Sequence, residues 1–391
     1  MPKMIMIVFG TRPEAIKMAP VVKALAARSD RFRLVICLSA QHREMLDQVM
    51  KQFELRADFD LNIMTRGQDL FDVSARVILG MRDVLRKDPP DVLLVHGDTT
   101  TSAIAALAAF YLKIPVGHVE AGLRSRERYS PFPEEMNRRL TASLATWHFA
   151  PTVESRRNLQ SENVPAENIF VTGNTAIDAL LWMREQPATR ALPPTFESGR
   201  RGILVTAHRR ENFGESIANI CHAILELVAA FPDVEIVYPV HLNPNIVGPV
   251  ERILKGHERI RLLEPVNYSR FVRLMDEAHL ILTDSGGVQE EAPSLGKPVL
   301  VMRECTERPE AVQAGTVRLV GTDRHRIVAT AGELLRNETA WRAMARSVNP
   351  YGDGRAAARI AGHLCNILTE SGFPPEPVSE FAPLLNGRSD A

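Results

Sequence analysis

Short apolar runs recur along the chain, separated by longer stretches in which apolar positions return at helical spacing. That alternation predicts buried parallel strands, each followed by a covering helix. The first half offers strands at Met4–Gly10, Arg33–Ala40, Asp91–Asp98, Pro115–Gly122, Trp147–Pro151 and Ile169–Gly173. Glu185–Arg201 then breaks the pattern with Pro and polar residues and reads as an interdomain connection. The pattern restarts at Gly202–Ala207, Val234–His241, Ile260–Glu264, His279–Asp284, Pro298–Met302 and Val317–Gly321. Two consecutive sets predict an α/β chain with two doubly wound, Rossmann-like parallel-sheet domains, over 1–172 and 173–354. A helix over 355–370 follows, and then a Pro-rich tail over 371–391 that reads as loosely held.

Composition narrows the partners. Among 391 residues, 47 Lys and Arg balance 47 Asp and Glu, so no global field attracts nucleic acid or an anionic membrane, and any bound anion needs a local site. Cys37, Cys221, Cys305 and Cys365 show no CxxC spacing, which argues against a zinc site or a disulfide framework and fits a reducing, cytoplasmic setting. The opening MPKMIMIVFG is too short for a signal peptide, and no apolar run approaches the roughly 18 residues of a transmembrane helix.

Ligands of open parallel sheets bind beyond the carboxyl ends of the strands, and the polar clusters of this chain sit there. In TDSGGVQEEAPSLGKPVL (Thr283–Leu300) a strand runs into Ser285-Gly286-Gly287 and a helical segment. Backbone N–H groups at such a turn suit a diphosphate, and glycines let it approach closely. Glu291, one turn on, is placed to accept from ribose hydroxyls; an ordinary strand-to-helix turn is the plainer alternative. In FGTRPEAIKMAP (Phe9–Pro20), Arg12 and Lys17 lie near a helix start, either to neutralise phosphate or as a solvated face. No GxGxxG or GxxxxGK[ST] occurs, which disfavours dinucleotide and P-loop readings.

Carboxylates gather at strand ends in the first half: Asp98 in VHGDTTTS, Glu120 in HVEAGLRS, and Glu134 and Glu135 in SPFPEEMNRR. Converging acids can divide proton-transfer work because crowding drives their pKa values apart. Against this, Asp98 also suits an N-cap, and Glu134 and Glu135 suit ion pairs with Arg138 or Arg139. His208 in TAHRRENFG is placed to donate to a phosphate or leaving group, with Arg209 and Arg210 adding charge. His241 and His42 are weaker candidates, and the DFD at Asp58–Asp60 reads as an acidic loop rather than a metal motif.

Taken together, these motifs resemble the non-hydrolysing UDP-N-acetylglucosamine 2-epimerases. AQHREMLDQV, VTGNTAIDAL, YPVHLNP, MRECTERPEA, AGTVRLVGTD and NPYGDG extend the match from Phe9 to Gly354. The resemblance implies a glycosyltransferase B-like pair of domains with the active site in the cleft between them, and a final helix crossing back onto the first. It implies a homodimer without cofactor or metal, acting on UDP-N-acetylglucosamine and UDP-N-acetylmannosamine. The acid/base residues it carries over are Asp98, Glu120 and Glu134, assisted by Arg138 and His208. UDP contacts fall on Arg12, Lys17, Phe271, Ser285, Gly286, Gly287, Glu291 and Arg308. An activating UDP-N-acetylglucosamine site falls on Gln41, Glu44, Arg209 and His241. Two positions depart from the pattern there: Glu44 replaces a Gln, and Arg66 only approximates an expected Arg. The implied route is anti elimination of UDP to 2-acetamidoglucal and re-addition on the other face, supplying N-acetylmannosamine units for surface polysaccharide.

Overall fold

The computed structural model describes residues 2–41, 43–65, 67–368 and 374–383. His42 and Arg66 lie outside the described residues. The chain divides into two units, one made of Met1–Ala179 with Tyr351–Ala382 and the other of Leu180–Pro350.

The first unit holds strands β1 (Lys3–Phe9), β2 (Phe32–Leu38), β3 (Phe59–Asp60), β4 (Val92–His96), β5 (Val116–Val119), β6 (Trp147–Ala150) and β7 (Ile169–Val171). They form one parallel sheet in the order β3-β2-β1-β4-β5-β6-β7. The second unit holds β8 (Arg201–Thr206), β9 (Val234–Pro239), β10 (Ile260–Leu263), β11 (Leu280–Thr283), β12 (Val299–Val301) and β13 (Val317–Leu319). Their sheet is also parallel, in the order β10-β9-β8-β11-β12-β13. Strands covered on both faces need apolar side chains at every position; accordingly β1 is buried throughout Met4–Phe9, and Val92–His96 is buried along its whole length. Each sheet winds outward from its central strand and then restarts on the other side, so the order reverses between β1 and β4 and between β8 and β11. These two switch points are where a doubly wound sheet opens a crevice for ligand.

All the strands expected from the apolar runs are present. The addition is β3, which falls on the DFD motif read as a loop. Two residues at a sheet edge are too few to show any period. Both acids of that motif are structural: Asp58 accepts from the Ile36 N–H at 2.8 Å, and Asp60 pairs with Arg43. The boundary expected at 172/173 lies instead within the helix Thr175–Glu185, which carries the chain from the first unit into the second.

The chain returns at Tyr351, whose carbonyl accepts from the Asn174 N–H at 2.7 Å. Helix Ala356–Leu368 then packs against Arg12–Ala26 in the first unit. Its N-terminus is capped from across the chain: Asp178 accepts from the N–H groups of Ala356 and Ala357 at 3.2 and 2.9 Å. The tail differs from the loose segment expected. Residues 374–383 run without helix or strand along the first unit, fixed by Glu376 on Arg28 and Arg31, and by Phe381, whose N–H donates to Val171 on the outer edge of β7. Residues 369–373 and 384–391 lie outside the described residues.

Candidate functional site

The first-unit site grows from the carboxyl ends of β1, β4 and β5. Beyond β4 the chain turns at Gly97-Asp98 and enters helix Thr100–Tyr111. Its N-cap is Thr99, which accepts from the Ser102 N–H, so capping does not explain Asp98. Asp98 faces Arg138 instead: the guanidinium donates from Nε at 3.0 Å and approaches through Nη2 at 2.8 Å. Asn137 Nδ2 holds the Asp98 carbonyl at 2.9 Å. Helix Glu134–Leu144 therefore presents Arg138 and Asn137 to the β4 turn while Glu134 stands at its start.

The neighbouring acid Glu135 is the structural one. Fully buried, it accepts from the Ser125 N–H and pairs with Arg138 and Arg139. Burial pushes its carboxyl up, but the Ser125 N–H and the two arginines bring it below the usual carboxylate range. Glu134 differs, since its Oε2 is enclosed with no hydrogen-bond partner. A buried acceptor left open in this way costs stability unless something donates to it.

Glu120 follows β5 with φ at +62°, a left-handed conformation that a side chain adopts at a cost of about 1 kcal/mol or more. Its Oε2 receives the Lys17 ammonium directly and lies 3.6 Å from His96 Nε2. Burial alone would push this carboxyl up; the Lys17 charge, with His96, outweighs it and holds Glu120 well below the ordinary range. Lys17, read from sequence as a phosphate contact, is thus engaged with a carboxylate. Arg12 opens the same helix, half-buried at its first position. Gln41 reaches the cluster through Thr101, which donates to its Oε1 at 3.0 Å, whereas Glu44 is exposed in the first turn of Arg43–Gln52.

In the second unit the organising residue is Asp284, at the end of β11. Completely buried, its Oδ2 accepts from the N–H groups of His208 and Arg209 at 2.8 Å each and from Asn212 Nδ2 at 2.9 Å. Its Oδ1 lies 3.2 Å from His208 Nδ1. The carboxylate thus sets the loop after β8 through Oδ2, with the His208 ring beside its Oδ1. Burial lowers the His208 pKa, Asp284 opposes it, and Arg209 and His241 add to the lowering; the net direction is downward. His241 stacks on His208 with ring centroids 5.8 Å apart.

The Ser285-Gly286-Gly287 turn opens helix Gly286–Glu291. A Cβ on Gly286 would stand 2.6 Å from the Arg308 guanidinium, so glycine is what admits that cation to the turn. Arg308 also donates to Glu290 at 2.7 Å. Glu291 accepts from the Tyr268 hydroxyl at 2.9 Å, and Phe271 lies one turn further along helix Tyr268–Glu277.

The sequence reading passed over Asp284 and Glu14 as site residues. A strand ending in Asp before Ser-Gly-Gly was a visible sign of the first. Thr11-Arg12-Pro13-Glu14 is a capping-box spelling that marked the second. Among the described residues no group of His, Cys, Asp and Glu is arranged to hold a metal ion, and no helix is long and apolar enough to cross a membrane.

The family model for UDP-N-acetylglucosamine 2-epimerase matches residues 23–365. The UDP-N-acetylglucosamine 2-epimerase of Salmonella typhimurium is 57% identical over 364 residues, covering 91% of this chain and 96% of that protein. The Escherichia coli K12 enzyme of the same name is 56% identical over 370 residues, covering 93% and 98%. The chain belongs to the UDP-N-acetylglucosamine 2-epimerase family. Within that family, the crystal structure of the Neisseria meningitidis epimerase bound to UDP-GlcNAc superposes with a TM-score of 0.87 at 50% identity, covering 93% of this chain and 100% of that one. The Methanocaldococcus jannaschii epimerase, in complex with UDP-GlcNAc and UDP, gives a TM-score of 0.77 at 34% identity, covering 93% and 99%. A kitacinnamycin glycotransferase at 14% identity and a TM-score of 0.63 shares the fold alone.

Proposed function

We propose that this epimerase-family chain interconverts UDP-N-acetylglucosamine and UDP-N-acetylmannosamine without net hydrolysis. The observation that carries the reading is the Asp98–Arg138 and Glu120–Lys17 pairing at adjacent strand ends of the first unit. The C2–H of an N-acetylhexosamine is not acidic, because no carbonyl conjugates with a C2 carbanion. Its removal becomes feasible when the C1–O bond breaks in the same process. One carboxylate takes the C2 proton, the C2–H electron pair becomes the C1=C2 double bond, and UDP departs with the C1–O pair. Glu120, at the end of β5, is assigned the proton-accepting role; Asp98 or Glu134, in its protonated form, returns a proton to the opposite face of C2 as a UDP oxygen re-forms the bond to C1.

The second unit would supply the leaving-group side. His208 and Arg308, with the Ser285–Gly287 N–H groups, stabilise charge developing on UDP. Glu291 and Phe271 would bind the nucleoside, and Arg12 the diphosphate. Gln41, Glu44, Arg209 and His241 remain the set for an activating second nucleotide sugar. The product would supply N-acetylmannosamine units for surface polysaccharide.

Incubation with UDP-N-acetylglucosamine in heavy water, followed by NMR, tests the reading. Deuterium at C2 of both nucleotide sugars, with no acceptor present, is the expected result. Free N-acetylmannosamine accumulating with stoichiometric UDP would instead assign the hydrolysing reaction. Absence of C2 exchange would sink the elimination route.

A further inference from the structure

The carboxylate of Glu14 has more donors than helix capping requires. Glu14 stands at the third position of helix Arg12–Ala26, where a glutamate ordinarily reaches back to the N-cap backbone from an exposed helix end. Here it is buried, at 1% exposure. One oxygen, Oε2, serves the cap: it accepts from the Gly10 and Thr11 N–H groups at 2.9 and 2.8 Å and from the Thr11 hydroxyl at 2.9 Å. The other, Oε1, leaves the helix altogether. It accepts from the Thr99 hydroxyl at 2.6 Å, and the Ser102 hydroxyl, whose one proton it shares with the His96 carbonyl at 2.6 Å, stands 2.9 Å away, both on the far side of the switch point. Thr99 immediately follows Asp98, and Thr11 immediately precedes Arg12.

We infer that Glu14 is a positioning residue for the epimerase reaction: its carboxylate fixes the turn carrying Arg12 against the turn carrying Asp98. The inference rests on the function proposed above. A carboxylate only accepts, so it matches the Gly10 and Thr11 N–H groups and the Thr11 and Thr99 hydroxyls without rearrangement, with the shared Ser102 hydroxyl beside them. Few other side chains can hold both turns. Aspartate is one methylene short: it keeps the Gly10–Thr11 end within its own turn, as Asp72 does at the third position of helix Leu70–Lys87, and loses the Thr99–Ser102 end. Glutamine keeps the length and places a donor against one set of donors. At the backbone end its amide meets N–H groups that cannot accept. Its oxygen must therefore take that end, and the Thr99 and Ser102 hydroxyls must turn to accept from its NH2. The two substitutions thus separate reach from charge. Loss of reach shifts Asp98 relative to a sugar held by its diphosphate, and displacements on the order of 1 Å cost about 100-fold in rate.

The test compares wild type, Glu14→Asp and Glu14→Gln in heavy water. C2 deuteration and UDP release are recorded in the same samples, and rates are normalised to UDP-binding sites counted by calorimetry, which removes any unfolded fraction. Glu14→Asp is expected to lower kcat by about 30- to 100-fold with the KM for the nucleotide sugar and the UDP affinity within threefold. Glu14→Gln is expected to retain more activity than Glu14→Asp. A Glu14→Asp rate per UDP site within threefold of wild type overturns the inference, as does a loss appearing entirely in KM. If wild type itself releases UDP without C2 exchange, the epimerase reading falls. The UDP-release rates of the variants then judge Glu14 by the same margins.

Discussion

At the scale of single residues, the carboxylates at the strand ends of the first unit are set apart by their neighbours. Glu135 is saturated by an N–H and two arginines, whereas Glu134, beside it, keeps an enclosed oxygen open. Asp98→Asn and Glu120→Gln are each expected to cut turnover by roughly 10²- to 10⁴-fold, the range for a positioned acid or base. A loss below about tenfold in a steady-state assay would remove that residue from the catalytic set. Lys17 gives a second check through pH. Its charge holds Glu120 below the ordinary range against the opposing effect of burial. Lys17→Met should therefore let the Glu120 pKa rise and move the acid limb of kcat/KM to higher pH. An unmoved limb would separate Lys17 from Glu120. The acidic residues themselves were legible in the sequence, because polar side chains at the ends of apolar runs stand out. Their partners were not. Glu14 joins residues 85 and 88 positions away, and Asp284 joins His208 across 76. Contacts of that range follow from sheet order, which no local pattern encodes.

At the scale of elements, continuous apolar runs made nearly every strand readable, since a strand covered on both faces has no polar side to obscure it. The tail shows the converse. Its Pro-rich, polar spelling is that of an unstructured segment, yet residues 374–383 hold to the first unit through side chains. Asn366 pairs with the Glu376 backbone through both its amide groups at 3.0 and 2.8 Å, and a Cβ on Gly362 would stand 2.6 Å from Val378. The segment also occupies the outer edge of β7, where an open strand invites unwanted pairing. Hydrogen bonds from Arg28, opposed by burial, and the nearby Arg31 charge bring the Glu376 carboxyl to about 2 from an ordinary 4.5. A carboxyl lowered on folding stabilises above its unfolded value and loses that contribution as pH falls through its folded one. Glu376→Gln is accordingly expected to lower Tm at pH 7 by about 2–4 °C, for roughly 1 kcal/mol from a solvent-screened pair. The difference between variant and wild type should shrink as pH drops from 4.5 toward 2. Equal melting temperatures at neutral pH would assign the strap no stabilising role.

At the scale of the whole molecule, the two units repeat one architecture but are cut differently from the chain. The second is continuous from Leu180 to Pro350, and the first is completed by Tyr351–Ala382. Deleting residues 351–391 should therefore damage the first unit selectively. It removes the helix capped by Asp178 and exposes the face of Arg12–Ala26 that this helix covers. Limited proteolysis of the truncated chain is expected to leave a resistant fragment close to 180–350 while the first unit is digested; equal resistance of both would contradict the division. The two-domain plan was visible as a restarted strand pattern. The discontinuity was not, because a lone amphipathic helix does not declare which sheet it will cover. The same discontinuity sets an order of events on the ribosome. Although the first unit's sheet is made first, its final helix cannot dock until the intervening unit has been synthesised. A nascent chain therefore carries the uncovered face of helix Arg12–Ala26 through synthesis of the whole second unit, and that helix reaches its finished setting only once Ala356–Leu368 has emerged.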